Sequence, residues 1–380
     1  MSKLEKLIQQ YCPDGVEWIK IRDMAQVGTG SSNGNEADED GKYPFFVRSQ
    51  IVKHKNNFEY DEEAIIIPGE GGIGDIFHYI KGKYALHQRV YRIHFTSQQI
   101  NVKFAFYYMK SAFKRFIMTK AVSATVTSIR KPMIEDFEIP VPPLPVQEEI
   151  VRILDTFTEL QAELQAELQK RQQQYNFYRD NLLNFNRGGQ EIKWMKLKEI
   201  GKVCMCKRIL KEQTVSSGDV PFYKIGTFGG VADAYIPQEL FDSYKSKFSY
   251  PQKGDILISA AGTIGRTVEF DGKPAYFQDS NIVWLKHDES IVLNSYLKYC
   301  YTLNPWAIST GGTIARLYND NILNATIPVP PIAEQQKIVA ILDRFDTLTN
   351  DLTSGLPAEM EKRRQQYEYY RDRLLTFKRL

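Results

Sequence analysis

Cysteine is scarce in this chain of 380 residues. The four cysteines, Cys12, Cys204, Cys206 and Cys300, form no CxxC pair and no framework of the kind that holds short secreted domains together. Cys204 and Cys206 could hold a metal, but the five histidines are scattered, so we interpret both cysteines as half-buried strand residues. Cysteine usage therefore argues against a disulfide scaffold and favours a reduced, cytoplasmic compartment.

Long hydrophobic runs are also absent. No run reaches the roughly 18 apolar residues of a membrane-spanning helix, and the opening MSKLEKLIQQ is too short and polar for a signal peptide. These absences predict a soluble intracellular protein without a membrane partner. The net charge of +3 permits nucleic-acid binding but does not argue for it, because non-specific DNA binders usually carry a clustered excess of basic residues.

Catalytic motifs are missing as well. The sequence contains no GxxxxGK[ST] phosphate loop, no nucleophile elbow with a Ser/His/Asp triad and no HExxH helix. An adenine methyltransferase would need an Asn-Pro-Pro-aromatic tetrapeptide, and Asn304-Pro305-Trp306 is one proline short of it. We therefore find no catalytic site in the sequence.

One glycine-rich stretch does resemble a cofactor motif. GEGGIG at residues 69–74 matches GxGxxG, but its counterpart AAGTIG at residues 260–265 lacks the first glycine. In both places the following segment, from Asp75 and from Arg266, has the pattern of a strand, whereas a phosphate cradle needs a helix N-terminus after the turn. We therefore predict two glycine-bearing β-hairpins rather than a dinucleotide site.

The dominant feature present is an internal repeat. IPVPPLPVQEEIVRILDTFTEL from Ile139 is answered 188 residues later by IPVPPIAEQQKIVAILDRFDTL from Ile327. KRQQQYNFYRDNLLNF from Lys170 is answered 192 residues later by KRRQQYEYYRDRLLTF from Lys362. Each copy predicts a strand end, a proline-rich turn and a long helix.

The first helical segment shows a coiled-coil pattern. Its apolar positions step by three and four residues, with two consecutive steps of four inside the tandem QAEL of residues 161–168, which is a heptad seam with one stutter. About forty residues from Pro145 would make a rod of about 60 Å. A helix this polar must pack against something, and the nearest candidate is the other copy. The predicted seam is Ile150, Ile153, Phe157, Leu160, Leu164, Leu168, Arg171, Tyr175, Tyr178, Leu182 and Phe185.

The repeat extends to the segments before the helices. VEWIKI at residues 16–21 is echoed by IKWMKL at 192–197, and further pairs are residues 43–46 with 220–223, 64–67 with 255–258, and 123–126 with 311–314. The loops between these anchors, such as 28–42 and 205–219, diverge in sequence and length. We therefore predict two β-rich modules, each with a minor helix near 102–115 or 293–303, that share a scaffold and recognise different targets.

Together these motifs identify a resemblance. With its two IPVPP tracts, the helical segments that follow, the KRQQQYNFYRD and KRRQQYEYYRD ends and the GVEW opening at Gly15, the whole chain resembles the specificity subunit of type I restriction-modification systems. The resemblance implies an α+β fold in which two similar target recognition domains are separated by two long helices. These helices would pair as an antiparallel coiled coil with pseudo-two-fold symmetry.

The same resemblance implies the domain boundaries and the function. We expect a first recognition domain at residues 1–144, a central helical region at 145–187, a second recognition domain at 188–332 and a distal helical region at 333–380. The subunit would bind bipartite double-stranded DNA, one half-site per domain, without catalysis or a cofactor of its own. Two methyltransferase subunits would supply adenine-N6 methylation with S-adenosylmethionine, and restriction subunits would cleave DNA with ATP and magnesium.

Two recognition modules on one helical rod are physically suited to a bipartite DNA target. Two modules on one rod combine the free energies of two half-sites, and each good bidentate base contact discriminates by about 1 to 3 kcal/mol. One QAEL lengthens a helix by about 6 Å and turns it by a surplus of about 40°. Since a DNA base step is roughly 3.4 Å, a change of one QAEL predicts a spacer change of one or two base pairs.

Candidate contact residues are the polar and basic side chains in the diverging loops. The alternative for any one of them is a solvated charge or a phosphate contact without sequence information. In the first domain they are Arg48, Ser49, Gln50, His87, Gln88, Arg89, Ser128 and Arg130, and in the second Lys224, Thr227, Arg266, Gln278, Asp279, Asn281, Arg316 and Tyr318. For methyltransferase docking, against the alternative of a plain solvated helix, they are Gln147, Glu148, Glu149, Gln335, Gln336 and Lys337.

Two alternatives and one departure stay open. The chain could be an orphan DNA-binding or scaffolding protein that works without a methyltransferase, or, less well supported, a solitary methyltransferase. Gly355-Leu356-Pro357 departs from the first copy, because proline should interrupt the helix there and four extra residues are present.

Overall fold

The computed structural model describes residues 2–120, 128–185, 192–307, 316–351 and 353–380. The chain divides into two compact units, the first holding Met1–Gln165 and Glu359–Leu380, the second holding Ala166–Ala358. Each unit therefore combines one globular part with segments of both helical copies. The four domains implied by the resemblance follow a different division of the chain, and their boundaries stay a prediction. The predicted echo between 123–126 and 311–314 lies outside the described residues.

The first half of the chain forms a mixed sheet and a two-stranded ladder. Strands β2-β7-β5-β6-β3-β4 make the sheet in that order, antiparallel except for β3 with β6, and β1 pairs with β8 antiparallel. The elements are α1 (Lys3–Tyr11), β1 (Glu17–Lys20), α2 (Ile21–Met24), β2 (Ala25–Thr29), β3 (Tyr43–Phe46), β4 (Lys53–Lys55), β5 (Tyr60–Pro68), β6 (His78–Leu86), β7 (Val90–Phe95), α3 (Val102–Lys120), α4 (Lys131–Glu135), β8 (Glu138–Val141) and α5 (Leu144–Leu183).

Strand β5 is an interior strand of the six-stranded sheet, between β7 and β6. Ile65 and Ile67 belong to the cluster that includes Phe104 of α3, whereas Ala64 and Ile66 belong to a separate cluster with Tyr84. Because successive strand side chains point to opposite faces, a continuous apolar run such as AIII is expected only where both faces are covered. The first sheet is therefore covered on both sides at β5.

The second half follows the same plan with smaller sheets. Strands β10-β16-β13-β14 form one sheet, β12-β11-β15 another, and β17 pairs with β9 as β8 pairs with β1. The elements are β9 (Lys193–Lys196), α6 (Leu197–Ile200), β10 (Lys202–Cys204), β11 (Val220–Tyr223), β12 (Tyr235–Ile236), α7 (Gln238–Lys247), β13 (Ile256–Ser259), β14 (Thr267–Glu269), β15 (Tyr276–Phe277), β16 (Ile282–Lys286), α8 (Asn294–Thr302), α9 (Asn319–Asn324), β17 (Thr326–Val329), α10 (Ile332–Asn350) and α11 (Leu356–Leu374).

The predicted likeness of the two halves is confirmed at several points. Trp18 lies opposite Pro140 in the first ladder, and Trp194 lies opposite Pro328 in the second. Helices α3 and α8 occupy the two positions where a minor helix was predicted, and α3 extends five residues further than expected, to Lys120. Helix α7 was not predicted.

The two helical copies differ in continuity. Helix α5 is a single helix of 40 residues, whereas the second copy ends α10 at Asn350 and begins α11 at Leu356. The interruption predicted at Gly355-Leu356-Pro357 is therefore confirmed, although the break precedes Pro357, which lies in the first turn of α11. Gly355 fits the break because a Cβ there would lie 2.4 Å from the carbonyl oxygen of Thr347.

Aromatic stacking marks how the copies pair. In the first unit the ring of Phe157 stacks on Tyr370 with centroids 5.6 Å apart. In the second unit Tyr178 stacks on Phe345 at 5.3 Å. Phe345 is the repeat counterpart of Phe157, and Tyr370 is the counterpart of Tyr178, so the same contact occurs in each unit. The start of one copy meets the end of the other, which is antiparallel pairing.

The predicted seam is only partly covered. Ile150 is fully buried, but Leu160 and Tyr178 remain 40% and 44% exposed, and most of the other positions are half-buried. Ion pairs support the helices instead, with Arg171 contacting Glu167 at 2.6 Å and its counterpart Arg363 contacting Glu359 at 2.9 Å. Pairs at i,i+4 on a helix surface stabilise it by a few tenths of a kcal/mol each.

A buried glutamine anchors each helix start. The Oε1 atom of Gln147 accepts the Asn101 N–H, and Nε2 donates to the carbonyls of Gln99 and Pro142. Gln335 repeats this pattern with the Leu293 N–H and the carbonyls of Ile291 and Pro330. Both side chains are fully buried. Each amide therefore joins the proline-rich turn to the loop that precedes α3 or α8.

We expect Gln335→Leu to destabilise the protein by about 2 to 4 kcal/mol, because it leaves one buried N–H and two carbonyls without partners. The adjacent Gln336 is exposed, so Gln336→Leu should change the free energy of unfolding by about 0.5 kcal/mol or less. Urea unfolding of the full chain would compare the two variants. Equal effects would contradict the anchoring role.

Candidate nucleic-acid interface

The two glycine-rich stretches are hairpin turns. Residues 69–74 connect antiparallel strands β5 and β6, and residues 260–265 connect β13 and β14. Gly71, Gly72 and Gly74 have φ angles of 74°, 57° and 70°, a region that other residues rarely adopt. The predicted hairpins are confirmed. The following strands begin only at His78 and Thr267, so residues 75–77, expected to be strand, belong to the turn.

The same backbone hydrogen bonds hold both turns. The Gly69 N–H donates to the Arg89 carbonyl (2.9 Å), and the Gly69 carbonyl accepts the Ile129 N–H (2.7 Å). In the second unit the Ala260 N–H donates to the Asn281 carbonyl (2.8 Å), and the Ala260 carbonyl accepts the Leu317 N–H (2.9 Å). Each turn thus meets two further segments. The predicted contact residues within 87–89 and 128–130 therefore lie beside the first turn. Those within 278–281 and 316–318 lie beside the second turn.

A shared carboxylate joins two predicted arginines in the first unit. Arg89 Nη1 lies 2.8 Å from Glu70 Oε1, and Arg48 Nη1 lies 3.0 Å from Glu70 Oε2. Hydrogen bonds from Arg89 and then from Arg48 lower the pKa of the Glu70 carboxyl. The arginine side chains remain 56% and 48% exposed. Both guanidinium groups are therefore held in place and still accessible.

The other first-unit candidates differ in accessibility. His87 is only 7% exposed, and its Nδ1 accepts the Arg89 N–H at 3.0 Å. Burial lowers the pKa of His87, in keeping with a neutral ring that accepts this hydrogen bond. Ser49 donates to the Ile51 carbonyl, and exposed Gln88 donates to Asn33. Ser128 is half-buried, whereas Gln50 and Arg130 are exposed. His87 therefore shapes the loop, while its neighbours face solvent.

In the second unit most candidates are hydrogen-bonded to the backbone of the loops. Gln278 Oε1 accepts the Ile225 N–H at 2.9 Å, and Thr227 Oγ1 accepts the Lys224 N–H at 3.1 Å, so these two side chains shape the backbone. Arg266 donates to the Gly229 carbonyl, and Arg316 donates to the Ser280 carbonyl. Asn281 is half-buried. Tyr318 is 56% exposed.

Charged pairs complete the second surface. Lys224 Nζ lies 2.9 Å from Asp233, and Arg208 Nε lies 2.9 Å from Asp279. Arg208, with a side chain that is 67% exposed, was missed by the sequence analysis. Arg208 lies in the diverging loop of residues 205–219, and that divergence is the sequence signal by which it could have been found.

The predicted docking residues divide into two groups. Gln147, Glu149 and Gln335 are buried, whereas Glu148, Gln336 and Lys337 are exposed. Glu149 contacts Arg152 at 2.7 Å and Lys3 at 2.6 Å, and the Arg152 hydrogen bond does most to lower the pKa of its carboxyl to about 2. The buried three are occupied within the protein and offer little to a partner.

Exposed aromatic dyads on the helices were not singled out in advance. In the second unit Phe177 and Tyr178 are 64% and 44% exposed, and in the first unit Tyr369 and Tyr370 are 57% and 44% exposed. The rings within each dyad lie 5.6 Å and 5.4 Å apart. The recurrence of FYRD and YYRD in the two copies was the signal for them.

The sequence also matches a family model described as "Type I restriction modification DNA specificity domain", over residues 13–171 and 190–362. The chain belongs to this family. It is a specificity subunit of a type I restriction-modification system, a class whose part is recognition of the DNA target rather than catalysis.

Individual relatives and a solved structure agree with the family match. A Haemophilus influenzae protein whose name assigns it to the type I restriction enzyme specificity subunits is 44% identical, with 98% of each chain covered. The EcoR124I/EcoR124II specificity subunit of Escherichia coli is 37% identical over 62% of this chain and 60% of its own. A crystal structure of an S subunit from M. genitalium has the same fold, with a TM-score of 0.60, 17% identity, and 95% of this chain and 96% of that chain covered.

Within the described ranges, no group of three or more His, Cys, Asp or Glu side chains is arranged to hold a metal ion. All four cysteines are buried and free. No helix in the described part of the chain combines the length and apolar character needed to cross a membrane.

Proposed function

We propose that this specificity subunit reads a bipartite DNA target, with the turn surface of each unit contacting one half-site. The observation that supports this is the pair of glycine-rich turns, which share their backbone hydrogen bonds but not their side chains. Arg48, Glu70 and Arg89 surround the first turn, whereas Arg266, Asn281 and Arg316 surround the second. Equal scaffolds with different donors and acceptors suit two different base sequences.

The catalytic steps belong to partner subunits in this proposal. Two methyltransferase subunits methylate adenine at N6 with S-adenosylmethionine, and restriction subunits use ATP and magnesium for cleavage, while this chain binds none of these groups. The complex works in the cytoplasm, where the DNA is. The helical repeat supports two methyltransferases because each unit presents one copy of the same aromatic dyad.

The proposal is tested by co-expressing the chain with its neighbouring methyltransferase in a host without DNA methylation. We expect single-molecule sequencing to find N6-methyladenine in a single bipartite motif with a fixed gap. Absence of methylation would instead favour an orphan DNA-binding or scaffolding protein. Binding of S-adenosylmethionine by the isolated chain would favour a solitary methyltransferase.

Helix α5 is proposed to set the gap between the half-sites. The division between the two units falls at residues 165 and 166, inside the tandem QAEL, and α5 is uninterrupted there. Four residues add about 6 Å to a helix, which corresponds to one or two base steps of roughly 3.4 Å.

We therefore expect deletion or duplication of one QAEL within residues 161–168 to change the gap by one or two base pairs and to leave both half-sites unchanged. Methylome sequencing of the variant measures this directly. A matched control replaces one QAEL by QAAL, which alters composition at constant length and should keep the original gap. An unchanged gap in the deletion variant would contradict the ruler role.

Methyltransferase docking is proposed at the dyads together with exposed Glu148, Gln336 and Lys337. Aromatic side chains are enriched at protein interfaces, and tyrosine is among the residues that most often dominate the binding energy. In each dyad one ring, Tyr178 or Tyr370, stacks on the opposing helix copy, so the more exposed ring, Phe177 or Tyr369, is available to a partner.

We expect Phe177→Ser and Tyr369→Ser each to weaken the binding of one methyltransferase subunit by about 30-fold, because a central aromatic contact contributes about 2 kcal/mol. Native mass spectrometry should then find complexes with one methyltransferase instead of two. Tyr11→Ser, which alters a 45% exposed tyrosine on α1, is the control and should leave two bound. Retention of both subunits in the dyad variants would contradict this docking surface.

A further inference from the structure

Glu70 occupies an unusual position on a surface proposed to bind an anionic partner. Its carboxylate lies at the start of the first glycine-rich turn and contacts both predicted arginines. Arg89 Nη1 reaches both oxygens, at 2.8 Å and 2.9 Å, and Arg48 Nη1 reaches Oε2 at 3.0 Å. One negative charge therefore competes with DNA for two positive charges.

Backbone hydrogen bonds fix the position of the main chain from which the Glu70 side chain extends. Gly69, immediately before Glu70, is bonded on both sides, to the Arg89 carbonyl and to the Ile129 N–H. The Arg89 N–H is in turn held by His87 Nδ1. The backbones at Glu70 and Arg89 are therefore held next to each other. Only the two side chains need to move when a ligand replaces one of the contacts.

The chemistry of the contact resembles that of DNA. A carboxylate, a phosphate and the O6 and N7 atoms of guanine are all acceptors for guanidinium donors. The three side chains are 36%, 48% and 56% exposed, so the ion pairs form in a solvated setting and can be exchanged. Exposed ion pairs of this kind contribute little to the stability of the fold, so Glu70 can serve a role other than stability.

We propose that Glu70 is a specificity-determining residue that withholds Arg48 and Arg89 from DNA unless the first half-site matches. On unmatched DNA the arginines stay with the carboxylate, and its negative charge repels nearby phosphates. On the matching half-site, correctly placed base acceptors satisfy the guanidinium groups better than the carboxylate does. Glu70 thus weakens non-specific binding more than specific binding, as competing interactions do at other selective interfaces.

The second unit provides an internal comparison. Ala260 makes the same backbone hydrogen bonds as Gly69, so the position equivalent to Glu70 is Ala261, which has no carboxylate. The effect of Glu70 should therefore be confined to the half-site that the first unit reads. This inference rests on the proposed bipartite recognition.

The test uses the full chain in complex with its methyltransferase subunits and three DNA duplexes. One duplex carries the motif found by methylome sequencing, one has the first half-site scrambled, and one has the second half-site scrambled. Which half-site belongs to the first unit is established by exchanging residues 1–144 with those of a relative. The variant is Glu70→Gln, with Asp75→Asn as the matched control.

Asp75→Asn is a suitable control because, like Glu70→Gln, it removes one negative charge from the first glycine-rich turn. The Asp75 carboxylate pairs with Lys114 at 2.6 Å and is 58% exposed, and neither Arg48 nor Arg89 contacts it. A general electrostatic effect would appear in both variants, whereas release of the two arginines would appear only in Glu70→Gln.

We expect Glu70→Gln to tighten binding to the duplex with the scrambled first half-site by about tenfold and to change binding to the intact motif by about threefold or less. The slope of log K against log salt on the scrambled duplex should steepen by about one to two, as one or two further phosphates are contacted. Binding to the duplex with the second half-site scrambled should follow the intact motif.

Equal tightening on all duplexes, the same result in Asp75→Asn, or no change would overturn the proposal. Weaker binding to the intact motif would also overturn it, since Glu70 would then only position the arginines. Glu70→Ala provides a second variant should Glu70→Gln fail to fold. If the unmodified complex does not distinguish the motif from scrambled DNA, the proposed function itself fails, and that result is seen before any variant is measured.

Discussion

Pairing between the two helical copies is the interaction on which the architecture depends. Helix α5 is too polar to be stable as an isolated rod, and its half-buried seam gives only modest apolar burial. The stacked pairs Phe157 with Tyr370 and Tyr178 with Phe345 add about 0.5 to 1.5 kcal/mol each beyond their buried area. Repeat-equivalent residues form both pairs, so the same contact stabilises both units. Each unit contains segments of both helical copies.

The globular parts separate scaffold from recognition. Buried amides at Gln147 and Gln335 and the backbone hydrogen bonds at Gly69 and Ala260 are the same in both units, and they fix where the loops start. The side chains around the turns are different. With this division, loop side chains can differ between the two units while the anchoring groups keep the same fold.

Several cations of the candidate interface are paired with carboxylates. Glu70, Asp233 and Asp279 each contact a basic side chain of the loops. The modest net charge of the chain agrees with this arrangement. Binding that relied on unpaired cations would favour any phosphate backbone, whereas paired cations require a partner that offers better acceptors.

The sequence by itself determined the repeat, the proline-rich turns, the long helices and the helix break near Pro357, because these follow from local spacing and from backbone restrictions. It also determined that the glycine-rich stretches are hairpins, since the second copy lacks the first glycine. Only the tertiary structure decided that Gln147 and Gln335 are buried and that Glu70 contacts Arg48 and Arg89, residues 22 and 19 positions away in sequence. Those contacts depend on how strands β3, β5, β6 and β7 bring distant loops together, and no local pattern encodes that distance.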